Sequence, residues 1–178
     1  DRKGEYTLSQ KLHKRALGIR ENCFGQDHPA VTQSLENLAA TYRAQGKVDE
    51  AEKLLTLALE ERPDDVAAMA DLAQVNLAQG RSDLSVEVMT ELVSMTPDSA
   101  VARANLATAL GADGQFRPAI NEARAAVRLD PSLPQAHTLL VRLYTLVDEP
   151  ENAQQAAARF LESSEELTNA LNLLGATY

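Results

Sequence analysis

The sequence predicts an all-α solenoid of antiparallel helix hairpins. Three observations predict it. Residue types recur at a step of 34 along most of the 178-residue chain. Within each step the apolar positions fall at helical spacing. No segment alternates with period two, so no sheet is expected.

The recurrence is read column by column. Leu38, Leu72, Leu106, Leu140 and Leu174 share one column, and Ala39, Ala73, Ala107, Val141 and Gly175 follow them. Three positions on stand Tyr42, Asn76, Leu110, Tyr144 and Tyr178. Gly46, Gly80 and Gly114 recur, with Asp148 in the fourth unit. Ala51, Ser85, Ala119 and Ala153 stay small, and Leu59, Val93, Val127 and Leu161 stay aliphatic. Pro63, Pro97 and Pro131 close three units, while Glu165 stands in the fourth.

Each unit reads as two helices. Leu35, Leu38, Ala39 and Tyr42 form one stripe; Ala51, Leu54, Leu55, Ala58 and Leu59 form the second. Gly46 between them suits a left-handed helix end, and Pro63 stops the second helix. Small residues at the crossing let the two backbones approach. One hairpin cannot bury its apolar face alone, so hairpins stack.

The elements follow in order. Leu12, Ala16, Leu17 and Ile19 place a helix in residues 1–31, read as a partial repeat of second helix and linker. Repeats are expected over 32–65, 66–99, 100–133 and 134–167, with 168–178 as the first helix of a fifth. First helices are expected near Ala30–Gln45, Val66–Gln79, Ala100–Ala112, Pro134–Leu146 and Leu167–Tyr178; second helices near Asp49–Arg62, Asp83–Met95, Phe116–Leu129 and Pro150–Ser163. Asp49 and Asp83 stand where N-caps belong, and Pro118 and Pro150 fall in first turns. Ser163-Ser164 before Glu165-Glu166 reads as the capped start of the last helix.

Leu38-Ala39, Tyr42, Gly46, Ala51, Leu55, Ala58 and Pro63 resemble the tetratricopeptide repeat pattern. The resemblance covers nearly the whole chain and implies a right-handed superhelical array. Departures are visible. The aromatic position of the second helix holds Leu55, Met89, Ala123 and Ala157, so the third and fourth units carry less bulk. Arg103 and His137 replace a large apolar residue early in the first helix. Ala16-Leu17-Gly18-Ile19-Arg20-Glu21, followed by Gly25-Gln26-Asp27-His28-Pro29, is similar to the longer repeats of kinesin light chains. In those repeats the second helix is extended before such a linker. Only one such linker is present, so the cargo-adaptor role is not carried over. The resemblance also allows a test for co-chaperone activity, which needs groove cations. The matching columns read Glu36, Ala40, Asp71, Val101 and Asn105, and one repeat later Ala70, Gln74, Asn105, Gln135 and Leu139. Neither frame supplies the cations.

Composition excludes several classes. The chain has 17 basic and 26 acidic residues, a net charge of −9, and is 44% hydrophobic but 4% aromatic. That apolar fraction is too high for a disordered chain. One cysteine, Cys23, cannot form an internal disulfide, and it fits a reducing compartment. No run is apolar enough for direct membrane insertion. No face is strongly basic, which argues against nucleic acid. No signal-peptide core is visible, and the chain reads as a fragment of a longer protein or an array whose ends stack on another copy.

The residues with chemistry read as structural. His13, His28 and His137 are scattered, without carboxylate or cysteine at ligand spacing, so no metal or other cofactor is expected. His28 suits a turn before Pro29, and His137 sits in a packing column. Glu60-Glu61 and Asp64-Asp65 read as solvated helix ends. No phosphate loop or nucleophile elbow is present, so no enzyme is expected.

Function should then lie in the groove lined by the first helices. Its stripe comprises Gln33, Glu36, Ala40 and Arg43; Ala67, Ala70, Gln74 and Leu77; Val101, Ala104 and Thr108; Gln135, Thr138, Arg142 and Thr145; and Asn169 and Asn172. Its alanine-rich floor suits a helix or extended peptide of a protein partner. Gln74 and Thr108 offer hydrogen bonds to a peptide main chain, and Arg43 and Arg142 offer charge to acidic groups. The expected work is non-catalytic protein binding. The alternatives are a homo-oligomer assembled through apolar ends such as Leu171 and Leu174, or a regulatory region of a larger signalling or secretion protein.

Overall fold

The computed structural model describes the backbone of residues 2–25 and 28–175 and the side chains of residues 8–25 and 28–162. Among these residues there are nine helices and no strand: α1 (Arg2–Phe24), α2 (Pro29–Ala44), α3 (Val48–Glu61), α4 (Val66–Ala78), α5 (Ser82–Met95), α6 (Ala100–Ala112), α7 (Phe116–Leu129), α8 (Pro134–Leu146) and α9 (Pro150–Gly175). The fold is an all-α helical repeat. The chain divides into two compact units, Asp1–Val88 and Met89–Tyr178, with the division inside α5.

Four tight reversals of the chain share one geometry. Gly46, Gly80 and Gly114 have φ of 73°, 74° and 77°, and Asp148 takes the same place at 57°. At each, a helix ends in a paired 6→1 and 5→2 closure. The Lys47 N–H donates to Tyr42 O at 2.9 Å and the Gly46 N–H to Arg43 O at 2.9 Å. Arg81 and Gly80 repeat this on Asn76 and Leu77, Gln115 and Gly114 on Leu110 and Gly111, and Glu149 and Asp148 on Tyr144 and Thr145. Carbonyls that a helix end leaves unpaired are thereby satisfied.

This closure corrects the expected caps. Lys47 is at once the last residue of the turn and the N-cap of α3, and its side chain makes no capping bond. Gln115 plays the same double part before α7. The next helix therefore starts at once, and Asp49 and Asp83 lie inside the first turns of α3 and α5. There they face the positive helix end without capping it. True side-chain caps open three of the first helices instead, α2, α4 and α6, while α8 has none. His28 Nδ1 accepts from Ala30 N, Asp65 Oδ1 from Ala67 N and Ala68 N, and Ser99 Oγ from Ala102 N. Asp65 is thus a buried cap, paired with Arg62 at 2.9 Å, and not a solvated helix end.

In the first unit, α2 and α3 pack as a hairpin around Leu35, Leu38, Tyr42, Ala51, Leu55 and Ala58, with Ala68 and Val75 of α4 joining them. Ala51 and Ala58 are fully buried, which brings the α3 backbone close to its neighbours. α1 spans 23 residues against 14 for α3. It lies on α2 through polar contacts: Gln10 Nε2 donates to the Tyr42 hydroxyl, and Arg20 Nη1 to Ala30 O and Ser34 Oγ. The opposite side of α1 exposes Leu8, Leu12 and Ile19.

In the second unit, α6 packs on α7 and α8, and α8 on α9. One cluster of its core is alanine: Ala104, Ala126 and Ala136 have no exposed surface, with Val127 and Leu133 against them, and Leu92, Leu106, Leu110, Ile120, Leu140 and Leu143 are buried as well. Arg103 and His137, the polar substitutes in an apolar column, each bond the carbonyl of the proline six residues back. Arg103 Nε donates to Pro97 O at 3.0 Å and His137 Nε2 lies 2.8 Å from Pro131 O. Arg103 also pairs with Glu122 at 2.8 Å.

The expected break between residues 163 and 167 is absent. α9 runs unbroken from Pro150 to Gly175, so Leu167–Tyr178 is not a separate helix and no serine cap interrupts it. Pro63, Pro97 and Pro131 end the earlier second helices, whereas Glu165 in their column is a good helix former.

Two glycines separate backbone conformation from space. A Cβ at Gly80 or at Gly18 would meet nothing within 4 Å, but only Gly80 has positive φ. Gly80→Ala should cost about 1 kcal/mol in urea unfolding, and Gly18→Ala, inside α1, should stabilise by about 0.5–1 kcal/mol.

Candidate partner-binding faces

In the first unit the predicted stripe lies on α2 and α4. Gln33, Ala40, Ala67 and Gln74 are exposed, and Glu36, Arg43, Ala70 and Leu77 are half-buried. All eight are thus accessible. The polar members, however, are engaged with one another. Arg43 Nη1 donates to Asp71 Oδ1 at 2.6 Å and to Gln74 Oε1 at 2.7 Å. Gln33 Nε2 donates to Glu36 Oε2 at 3.0 Å. Arg43 therefore ties α2 to α4 as well as facing outward. Asp71 was absent from the predicted stripe. Its signal was its position one turn before Gln74, within reach of the arginine column.

Electrostatics mark one corner of this face. The Glu36 carboxyl is held above its ordinary range, first by burial and then by the nearby Asp65 carboxylate, with Asp71 adding to the effect; Arg62 opposes it. Like charges this close favour the protonated form of one member.

In the second unit the stripe holds less well. Val101, Gln135, Thr138, Arg142 and Thr145 are exposed and Thr108 is half-buried. Ala104 is fully buried against Ala126 and Ala136, so it belongs to the core and not to a groove floor. The hydroxyls of Thr108, Thr138 and Thr145 donate to carbonyls one turn back in their own helices, leaving only lone pairs for a partner. Gln135 Nε2 donates to Asn105 Oδ1 at 3.1 Å. Arg142 has no hydrogen-bond or ion-pair partner among the described residues. Asn169 and Asn172 lie outside the described side chains, as do Leu171 and Leu174.

The histidines take structural places. His28 caps α2 and stacks on Phe24, with ring centroids 4.6 Å apart. His137 is buried and stacks on Phe160 at 5.0 Å. Among the described residues no three His, Cys, Asp or Glu side chains gather to hold a metal ion. No described helix is long and apolar enough to cross a membrane.

Helix hairpins closed by a left-handed residue every 34 positions are the geometry of one repeat family, and two family models described as tetratricopeptide repeat match residues 2–63 and 42–110. The chain belongs to the tetratricopeptide-repeat family. Members of the family are protein-interaction scaffolds, and the chain is one of them in this general sense. No curated protein matches it. Solved structures share its fold. Kinesin-light-chain-type repeats from Podosopora anserina superpose with a TM-score of 0.79 at 21% identity, covering 93% of this chain and 90% of theirs. MamA from Desulfovibrio magneticus RS-1 gives 0.71 at 19% identity, covering 89% and 96%. Another MamA structure gives 0.77 at 17% identity, covering 94% and 93%.

The raised Glu36 carboxyl makes this tetratricopeptide face pH-sensitive. A carboxyl whose folded pKa exceeds its unfolded value adds stability below the unfolded pKa and loses it as pH rises through the folded one. Glu36→Gln should therefore raise the melting temperature at pH 7 and leave it nearly unchanged near pH 4. Calorimetry at the two pH values checks this.

Proposed function

We propose that the chain is a non-catalytic scaffold that holds a peptide or helix of a protein partner against the α2–α4 face. The observation that carries this reading is the accessible alanine strip of Ala40, Ala67 and Ala70 between the Gln33–Glu36 pair and the Arg43–Asp71–Gln74 cluster. Small side chains admit close backbone approach, and the polar clusters on either side are ordered before a partner arrives, which lowers the entropy cost of binding. In the second unit, Gln135, Thr138 and Arg142 form the corresponding polar surface.

Peptides selected against the whole chain from a random library test the proposal. Binding of a selected peptide, read by fluorescence anisotropy, should weaken at least about tenfold in Ala70→Glu, because a buried, unpaired carboxylate costs more than 1.4 kcal/mol. The melting temperature should change little. Unchanged binding in Ala70→Glu would exclude the α2–α4 face.

A second reading, assembly of like chains, is favoured by one observation. Leu8, Leu12 and Ile19 are 59%, 57% and 53% exposed on the side of α1 turned away from α2. Such a stripe tends to find a partner. Light scattering behind size-exclusion chromatography should show mass rising above 19.3 kDa with concentration. Leu12→Glu combined with Ile19→Glu should return it to that of a monomer, and a wild-type monomer at all concentrations would reject assembly.

A further inference from the structure

The second unit concentrates positive charge against its own balance. Residues 89–178 carry six arginines, no lysine and eleven carboxylates. Four of the six arginines, Arg117, Arg124, Arg128 and Arg159, line a single cavity of about 580 Å³ between α7, α8 and α9. Glu149 is the one carboxylate in its wall, and it is already held by Arg117 at 2.6 Å and by Asn152 at 2.8 Å. Arg124, Arg128 and Arg159 have no hydrogen-bond or ion-pair partner among the described residues.

The side of α8 opposite to Gln135, Thr138 and Arg142 forms the floor of the cavity, with Leu140 and Tyr144. His137 also lines the floor and is only 2% exposed. Its Nε2 must carry a proton, since its neighbour Pro131 O can only accept. Its Nδ1 has no hydrogen-bond partner. A buried ring nitrogen without a partner is costly unless something completes it.

We propose that this cavity is a second docking site, which takes an acidic peptide segment of a partner protein. Arginine forks suit carboxylates, and guanidinium is less hydrated than ammonium, so three unpaired arginines around one cavity favour an anionic occupant. Their spread favours a chain over a single ion. Arg117, Arg124 and Arg128 run along one side of α7 for about 16 Å, the reach of about five extended residues. Asn121 and Gln155 between them can pair with a peptide main chain, and Ile120, Val127 and Ala156 receive apolar side chains. Nucleic acid fits less well, because half-buried Tyr144 and buried His137 are the two aromatic rings among the described residues of the wall, too few to stack a run of bases.

Fluorescence anisotropy with the full chain tests the site. The probes are a labelled eight-residue peptide alternating glutamate and valine, the same peptide with glutamine, and an eight-nucleotide single-stranded DNA. The glutamate peptide should bind, more weakly as salt rises, and the glutamine peptide should bind at least about tenfold less well. Arg124→Ala combined with Arg128→Ala should cost at least about tenfold, and the double change to glutamate should transfer binding to a lysine–valine peptide. Ala70→Glu, on the other face, should leave the affinity within about twofold, which separates this site from the α2–α4 proposal. Equal binding of the glutamate and glutamine peptides, no effect of the arginine changes, tighter binding of the DNA, or no binding of the glutamate peptide would each overturn it.

Discussion

The structure depends on a single backbone event repeated every 34 residues: a helix ended by one residue in the left-handed region. That residue lets two N–H groups reach back to carbonyls of the helix just finished, and the chain reverses with no residue to spare. The reversal brings α3 against α2 and α7 against α6 at a separation that only small side chains tolerate. Full burial of Ala51, Ala58, Ala119 and Ala126 follows from it. So does the absence of side-chain caps on α3 and α7, whose capping residues are still completing the turn before them. Asp148 shows that the event requires a backbone conformation and not a particular side chain, since a short polar residue can adopt it.

Periodicity carried most of the fold into the sequence. α6, α7 and α8 begin and end where the columns place them, because apolar stripes, turn glycines and closing prolines all agree there. Legibility fails where the agreement fails. Glu165 breaks the proline column, and the helix continues through it. The candidate face was less legible than the fold. A stripe at helical spacing cannot separate a residue at the edge of the core from one beside the groove, and Ala104 fell on the buried side. Nor does spacing reveal which polar side chains satisfy one another. The bond from Arg43 to Asp71 joins residues 28 apart in different helices, and only the packing of α2 on α4 brings them together.

The two units solve one packing problem with different materials. The first fills the space around its hairpin with Leu35, Leu38, Tyr42 and Leu55. The second buries Ala104, Ala107, Ala119, Ala123 and Ala126 beside Leu92, Leu106, Leu110, Ile120, Leu140 and Leu143, and its Arg103 and His137 each return to a proline carbonyl that ends the preceding repeat. The arginines of α7 and α9 stand around the cavity above α8. Departures from the repeat pattern and departures from uniform surface charge therefore coincide in one region.

The choice between the two basic side chains has a consequence for reactivity. The five lysines, Lys3, Lys11, Lys14, Lys47 and Lys53, all precede residue 54. From there to Tyr178 the basic side chains Lys and Arg are represented by guanidinium alone, which neither acetyl transfer nor ubiquitin attachment at lysine can reach. Amine-directed cross-linkers would accordingly report only on the first third of the chain. The positive wall between α7 and α9 is thus out of reach of the enzymes that modify lysine.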